Sequence, residues 1–241
     1  MIATILATVM LAALPQPEGR VDAFPGVVVD YDARAVELPG FVPVDAHSEA
    51  TPEVIIEVIA EAGGVRDHEA LVRIEAEARH VHAALLLLGL EPGTPGAILS
   101  DGSRAEPTGP GITVPVRFEQ DARTIEQSPL EWVHDPEAGD RLLDTNPTFR
   151  FGGSSEREFN GENFYMAEAE GVVVGLSTFG SGDPDSFVGV ETVGMVPVFD
   201  PDTASGDPIW MADPAHIPTF ETKVVLVLTP VDQERLDRTD P

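Results

Sequence analysis

Six histidines are the side chains of this sequence best suited to chemistry at neutral pH. They are His47, His68, His80, His82, His134 and His216. Two imidazoles and a carboxylate bind Zn²⁺ or Fe²⁺ when they converge on one point. His68, Glu69 and His82 are therefore the candidate metal ligands, with Asp67 as a group that would orient one of them. His80 cannot join His82 on the same ion, because residues two apart on a helix point about 200° apart.

A second interpretation of His82 is a packed histidine whose ring is hydrogen-bonded to a carbonyl or a carboxylate. The helical wheel places it on the flank of an apolar stripe. The metal hypothesis also meets a geometric difficulty, because neighbouring residues on a strand point to opposite faces. His68 and Glu69 can reach one ion only if the backbone there is irregular. Both interpretations stay open at this stage.

The element that must position His82 is a helix predicted over residues 77–88. Its apolar side chains recur at the helical spacing i, i+3, i+4 and i+7, at Val81, Ala84, Leu85 and Leu88. Leu86 and Leu87 extend this stripe around the helix, which predicts burial on several sides. Gly89 is placed to adopt the left-handed conformation that ends a helix, with Leu90 as its apolar partner. We expect this helix in the centre of the domain.

Short apolar and β-branched runs predict about eight strands. They lie at residues 27–31, 35–38, 54–60, 70–75, 111–120, 148–154, 172–176 and 223–229. The runs at 54–60 and 70–75 are expected to pair, and the last run is apolar enough to be central in a sheet. Residues 91–110 and 181–208 are rich in glycine, proline and polar residues, which predicts loops. The predicted fold class is α+β, mostly antiparallel sheet packed on one central buried helix at about 77–88.

The N-terminus is typical of a signal peptide. Residues 2–14 are apolar and uncharged, and Ala12 and Ala13 suit a cleavage site. No lysine or arginine precedes the run, and a buried first strand or helix is the alternative. The expected organisation is a signal peptide at 1–14, a linker at 15–21, one domain at 22–230 and a disordered acidic tail at 231–241. We expect an exported, periplasmic or extracellular protein with no integral membrane segment after signal removal.

Composition excludes several classes of function. The formal net charge is −28, from 42 acidic and 14 basic residues, and there is no cysteine. Such a chain repels phosphate backbones, so nucleic acid is not an expected partner; a protein or a small molecule is. Solubility or adaptation to salt explains the acidity, with divalent-cation binding as the alternative. Disulfides, thiolate metal sites and a cysteine nucleophile are excluded. No cofactor is expected, apart from the zinc or iron of the metal hypothesis.

No complete catalytic motif is present. The sequence has no G-x-S-x-G, P-loop, G-x-G-x-x-G or H-E-x-x-H pattern. Residues 200–207 have the acidic spacing of a calcium loop but lack its ligand at position five, its glycine at six and its glutamate at twelve. An Asp/Pro/Gly turn is the favoured explanation of these residues.

Three segments carry a resemblance to a known family. The helix HAALLLLGLEPG at residues 82–93, preceded by the His68-Glu69 pair, resembles the YdjY-domain family of exported, planctomycete-type bacterial proteins. The runs FRFGGS at 149–154 and KVVLVLTP at 223–230 are similar to its later strands. Ala70 stands where the family has a small hydroxyl residue, and Val81 stands where it has isoleucine. The resemblance implies the fold unit and export, and it carries no known molecular activity.

Two functions remain as hypotheses. The first is a non-enzymatic, exported binding or structural module that presents the loops at 91–110 and 181–208 to a partner. The second is a divalent-metal-binding or metal-dependent hydrolase-like protein that uses His68, Glu69 and His82.

Overall fold

The short β-branched runs of the sequence form strands. The computed structural model describes residues 17–50, 53–99, 101–137, 139, 141–181, 186–201 and 205–231. Its strands are β1 Arg20–Phe24, β2 Val27–Asp30, β3 Ala35–Phe41, β4 Val58–Ala62, β5 Ala70–Ile74, β6 Ala97–Leu99, β7 Arg104–Ala105, β8 Gly111–Thr113, β9 Val116–Gln120, β10 Arg123–Gln127, β11 Val133–His134, β12 Thr148–Phe151, β13 Glu156–Phe159, β14 Glu162–Tyr165, β15 Val172–Gly175, β16 Gly180–Ser181, β17 Ser186–Gly189, β18 Val193–Val196, β19 Met211–Ala212 and β20 Lys223–Pro230. The helices are α1 Ala78–Leu87 and α2 Met166–Glu170, with 3₁₀ segments at Asp67–Glu69, Pro129–Trp132 and Leu142–Thr145.

Eight of these strands form a closed barrel. They pair in the order β3-β5-β4-β15-β18-β12-β8-β20, and β20 pairs again with β3. The β4–β5 and β15–β18 pairs are parallel, and the other pairs of the ring are antiparallel. The hairpins β1–β2 and β9–β10 extend from β3 and β20. The ring thus joins strands from nearly the whole length of the described chain.

The last strand is central, as its apolar sequence predicted. β20 pairs with β3 along one edge and with β8 and β9 along the other. Its alternate residues Val224, Leu226 and Leu228 belong to the main hydrophobic core. Successive side chains of a strand point to opposite faces, so a closed sheet fills its interior with every second residue of each strand.

The predicted α+β fold with a central buried helix at 77–88 is wrong. Of the described residues, 40% are in strands and 13% are helical. The helix α1 packs across one end of the barrel, where it contacts β2, β3, β15 and α2. One stripe of α1 is buried, but Leu86 and Leu87 are 46% and 49% exposed. The reason is that the barrel fills its own interior, so the helix has only one face to cover.

The helix itself lies where the sequence placed it, and it ends as predicted. Gly89 has a φ of +79°, in the left-handed region. Its N–H donates to the Leu86 carbonyl at 2.9 Å, and the Leu90 N–H donates to the Leu85 carbonyl at 3.2 Å. These two hydrogen bonds form a Schellman motif, and Leu90 is buried beside it.

The regions predicted as two free loops contact each other. Strands β6 and β7, from the first region, pair with β16 and β17, from around the start of the second. Together they form a separate four-stranded antiparallel sheet in the order β16-β17-β6-β7. Backbone pairing between distant segments overrode the local glycine and proline signals.

The predicted termini lie largely beyond the described part of the chain. The signal peptide at 1–14 is outside it, as are residues 232–241 of the predicted tail, and β1 begins at Arg20, inside the predicted linker. In the part of the chain that the structure describes, no helix is long and apolar enough to span a membrane.

Candidate functional site

His82 lies on α1, at the end of the barrel that this helix covers. Its side chain belongs to a chain of hydrogen bonds. Its Nδ1 is 3.0 Å from the Tyr165 hydroxyl, which is 2.8 Å from Thr192 Oγ1. The Gly153 backbone also hydrogen-bonds to the ring and acts to raise its pKa. With the proton on Nε2, the Tyr165 hydroxyl donates to Nδ1. Phe151 packs edge-on against the ring at 5.1 Å.

Burial lowers the pKa of His82, outweighing the Gly153 hydrogen bond and the nearby Glu156 carboxylate, which act to raise it. A neutral imidazole held by hydrogen bonds is a packed histidine. This arrangement agrees with the second of the two interpretations of His82.

His68 and Glu69 lie in a different network. They belong to the 3₁₀ segment Asp67–Glu69, before β5 rather than on it. The His68 side chain is 77% exposed, with Nε2 3.7 Å from a Glu69 oxygen. Glu69 pairs with Arg66 at 2.5 Å and hydrogen-bonds to the Glu57 carboxyl. Burial, reinforced by Glu69, raises the pKa of Glu57 to about 7, so the Glu57 carboxyl is partly protonated near neutrality.

Glu61 and Asp67 form a second pair of acidic side chains. Glu61 is fully buried on β4, beside Asp67, and Arg73 reaches both carboxyl groups. Burial and Asp67 raise the pKa of Glu61 to about 7. The segment that connects the parallel strands β4 and β5 contains Asp67, and it runs back beside β4, which contains Glu61. The contacts of Arg73 with both carboxyl groups hold this connecting segment against the barrel.

The three predicted metal ligands are not brought together by these contacts. His82 bonds to Tyr165 and Gly153, whereas His68 and Glu69 group with Arg66 and Glu57. Across the described ranges, no group of three His, Asp or Glu side chains is arranged to hold a metal ion. The zinc or iron site stays a prediction that this geometry does not support.

We expect His82→Ala to lower the free energy of unfolding by about 1 to 2 kcal/mol, because it removes packing against Phe151 and the hydrogen bond to the Tyr165 hydroxyl. Urea denaturation measures the change. His68→Ala is the matched control, since an exposed histidine is expected to change stability by less than about 0.5 kcal/mol. Metal analysis of protein purified without chelator completes the test. One zinc or iron per chain that disappears in His82→Ala would contradict the packed-histidine interpretation.

Glycines allow two segments noted in the sequence, around residues 93 and 151, to lie against each other. The Gly93 N–H donates to the Phe151 carbonyl at 2.9 Å. A Cβ on Gly109 would lie 2.4 Å from that same carbonyl oxygen, and one on Gly152 would lie 2.9 Å from the Pro95 Cα. The segments around 93 and 151 therefore cross at backbone contact distance directly above His82. The sequence showed both glycine-rich segments but not that they meet.

A groove lies beside β8 and the start of β12. We call this the mouth groove; its volume is about 240 Å³. It is lined by Gly111, Ile112, Thr113, Val114, Pro115, Ser128, Leu130, Leu143, Pro147, Thr148, Phe149, Arg150 and Val231. Four of these, Ile112, Val114, Leu130 and Phe149, belong to the main hydrophobic core and are at most 4% exposed, so the groove borders the core. Sequence reasoning missed it, because its residues are scattered from 111 to 231.

A second cavity, of about 340 Å³, is lined by polar residues of β9 and β10 and by residues 214–219, with His47 and His216. The His216 Nδ1 is 2.6 Å from an Asp213 oxygen, a pairing that orients an imidazole. Although burial acts to raise it, the pKa of Asp213 is lowered, by the Ala215 N–H and by His216. Asp213 also accepts from the Ala215 N–H at 2.9 Å. The pair is thus part of a surface turn.

The fold defines a small, mostly-β protein: an eight-stranded barrel with α1 packed against it and an apolar groove beside β8 and β12. The family model of the YdjY domain matches residues 27–182. The match covers more than half of the chain, which therefore belongs to the YdjY domain family, and it confirms the resemblance of the sequence segments. Comparison with curated proteins and with solved structures finds no match.

Proposed function

We propose that this YdjY-domain protein is an exported, non-enzymatic binding module that takes a small apolar ligand into the mouth groove. The observation that carries the proposal is the groove itself: about 240 Å³ of space walled by core side chains. Binding sites for small molecules are typically concave, apolar and preformed, and the mouths of barrels are a frequent location.

The walls of the groove favour binding without rearrangement. Ile112 lies on β8 and Phe149 on β12, and these two residues are register partners in the barrel. The 3₁₀ segments contribute Leu130 and Leu143, which close the groove from the side. Side chains held by strands lose little conformational entropy when a ligand arrives, which leaves more of the hydrophobic gain as affinity.

Export is the part of the proposal that rests on the N-terminal sequence. The apolar run at residues 2–14 supports it, together with the small residues Ala12 and Ala13. An exported module of this charge meets its ligand outside the cytoplasm. Export does not indicate a class of ligand; only the residues that line the groove do.

N-phenyl-1-naphthylamine, a neutral apolar dye that fluoresces when it leaves water, tests the proposal. We expect one dye per chain. About 0.3 kcal/mol per non-hydrogen atom gives a dissociation constant on the order of 100 µM for a probe of about 17 such atoms. Leu143→Gln, which makes the groove wall polar, should weaken binding about tenfold. Thr113→Trp, which fills the groove from an exposed position, should block it without disturbing the core.

Leu87→Gln is the matched control, because Leu87 is an exposed leucine on α1 at the covered end of the barrel. It removes the same apolar surface and should leave dye binding unchanged. Equal loss in Leu143→Gln and Leu87→Gln would show that the dye binds exposed apolar surface generally. That result, or no binding to the wild-type protein, would overturn the proposal.

A further inference from the structure

Arg150 supplies the one basic side chain among the described residues that line the mouth groove, and none of those residues is acidic. It is partly buried on β12, between Phe149 and Phe151. Its hydrogen bond in the described part of the chain is a long one, from Nη1 to the Gly109 carbonyl at 3.5 Å. The guanidinium therefore has N–H donors to spare.

The lack of a carboxylate beside Arg150 contrasts with most of the other described arginines. Seven of them lie within ion-pair distance of an Asp or Glu: Arg20, Arg66, Arg73, Arg79, Arg104, Arg117 and Arg141. Acidic residues outnumber basic ones by 42 to 14, so potential partners are abundant. A partly buried cation is costly without a counter-charge, and within the described residues the chain provides none for Arg150.

We propose that the ligand of the mouth groove is a small apolar carboxylic acid whose carboxylate pairs with Arg150. This inference rests on the proposed function and deepens it by naming the ligand class. A guanidinium offers parallel N–H donors that match the two oxygens of a carboxylate, while the apolar body of the ligand fills the space beside Ile112 and Leu130. Among the described lining residues no acidic side chain opposes the carboxylate of such a ligand.

Displacement of bound N-phenyl-1-naphthylamine by octanoate and by 1-octanol tests the inference, because the two competitors differ only in the head group. We expect octanoate to displace the dye from the wild-type protein at about a tenth of the concentration that octanol needs, the effect of one charge-assisted hydrogen-bonded pair. In Arg150→Gln this preference should disappear, so that octanoate and octanol displace the dye at similar concentrations. Arg150→Lys should retain part of it, since a lysine keeps the charge without the paired donors.

Arg123→Gln is the matched control, because Arg123 is an exposed arginine of β10 outside the groove and its loss changes the net charge equally. It should leave the octanoate preference intact. A preference that survives in Arg150→Gln, or that falls equally in Arg123→Gln, would overturn the carboxylate assignment while dye binding still supports the groove. Absence of dye binding to the wild-type protein would instead remove the proposed function and this inference with it.

Discussion

Gly93→Ala is expected to destabilise the protein by about 3 to 5 kcal/mol, the range of severe packing defects. A Cβ at this position would lie 2.3 Å from the Thr108 carbonyl carbon, 2.4 Å from its oxygen and 2.5 Å from the Gly109 nitrogen. All three are backbone atoms, so no side-chain rotation relieves the clash. The segments must separate, which breaks the hydrogen bond from the Gly93 N–H to the Phe151 carbonyl. Urea denaturation gives the loss directly.

Gly89→Ala provides the comparison for this prediction. Gly89 has a positive φ of +79°, but nothing lies within 4 Å of the place that its Cβ would take. Alanine there incurs only the strain of the left-handed conformation, about 1 to 2 kcal/mol. Equal destabilisation by the two substitutions would show that the crossing at Gly93 is not tightly packed. The expected difference would confirm that the glycines of the two segments serve one contact.

Glu191→Gln is expected to stabilise the protein by about 3 kcal/mol at pH 8 and to change little at pH 4. The Glu191 side chain is 1% exposed, packed against Gly189 and Gly194, with a weak hydrogen bond from Thr178 at 3.5 Å. Burial raises its pKa from 4.5 to about 7. The folded chain therefore holds the proton more tightly than the unfolded chain does.

The sign of the pH dependence follows from that difference in pKa. The stability contributed by protonated Glu191 is fully present below about pH 4.5 and is lost as the pH rises through 7. Glutamine keeps the shape of the side chain and is neutral at every pH, so the variant does not lose this stability as the pH rises. Unfolding free energies of both proteins between pH 4 and 8 measure the effect, with the exposed Glu158→Gln as control. A difference that does not grow with pH would contradict it. Glu57 and Glu61 titrate in the same direction in both proteins and cancel in the comparison.

Local structure was predictable where neighbouring residues decide it. The hairpin of β2 and β3 forms at the predicted runs, with Arg34 in the left-handed conformation at φ 51° in its turn. Pro115 breaks its run into β8 and β9, and its carbonyl accepts from the Val227 N–H. In each case the residues that determine the conformation are within a few positions of one another.

The candidate site was less predictable, because it depends on contacts between distant segments. The hydrogen-bond chain of His82 needs Tyr165 and Thr192, which are 83 and 110 positions away along the chain. The mouth groove is lined by residues of β8, β12 and both later 3₁₀ segments, and Arg150 became a candidate only once its surroundings were known. A histidine or an arginine in a sequence has no assigned partner until the strands have paired.

The sequence by itself determined the helix α1 and its end at Gly89, the strong last strand, the exclusion of cysteine chemistry and the family. The helix, its end and the last strand follow from periodicity and turn chemistry, and the exclusion follows from composition. The family follows from the resemblance of the segments at 82–93, 149–154 and 223–230. Only the tertiary structure decided that β3 pairs with β20 and closes the barrel, which moved α1 from the centre to one end and separated His82 from His68. Alternation along a strand specifies which residues face inward, but it does not specify which strand lies alongside. That choice depends on the combined packing of the whole ring.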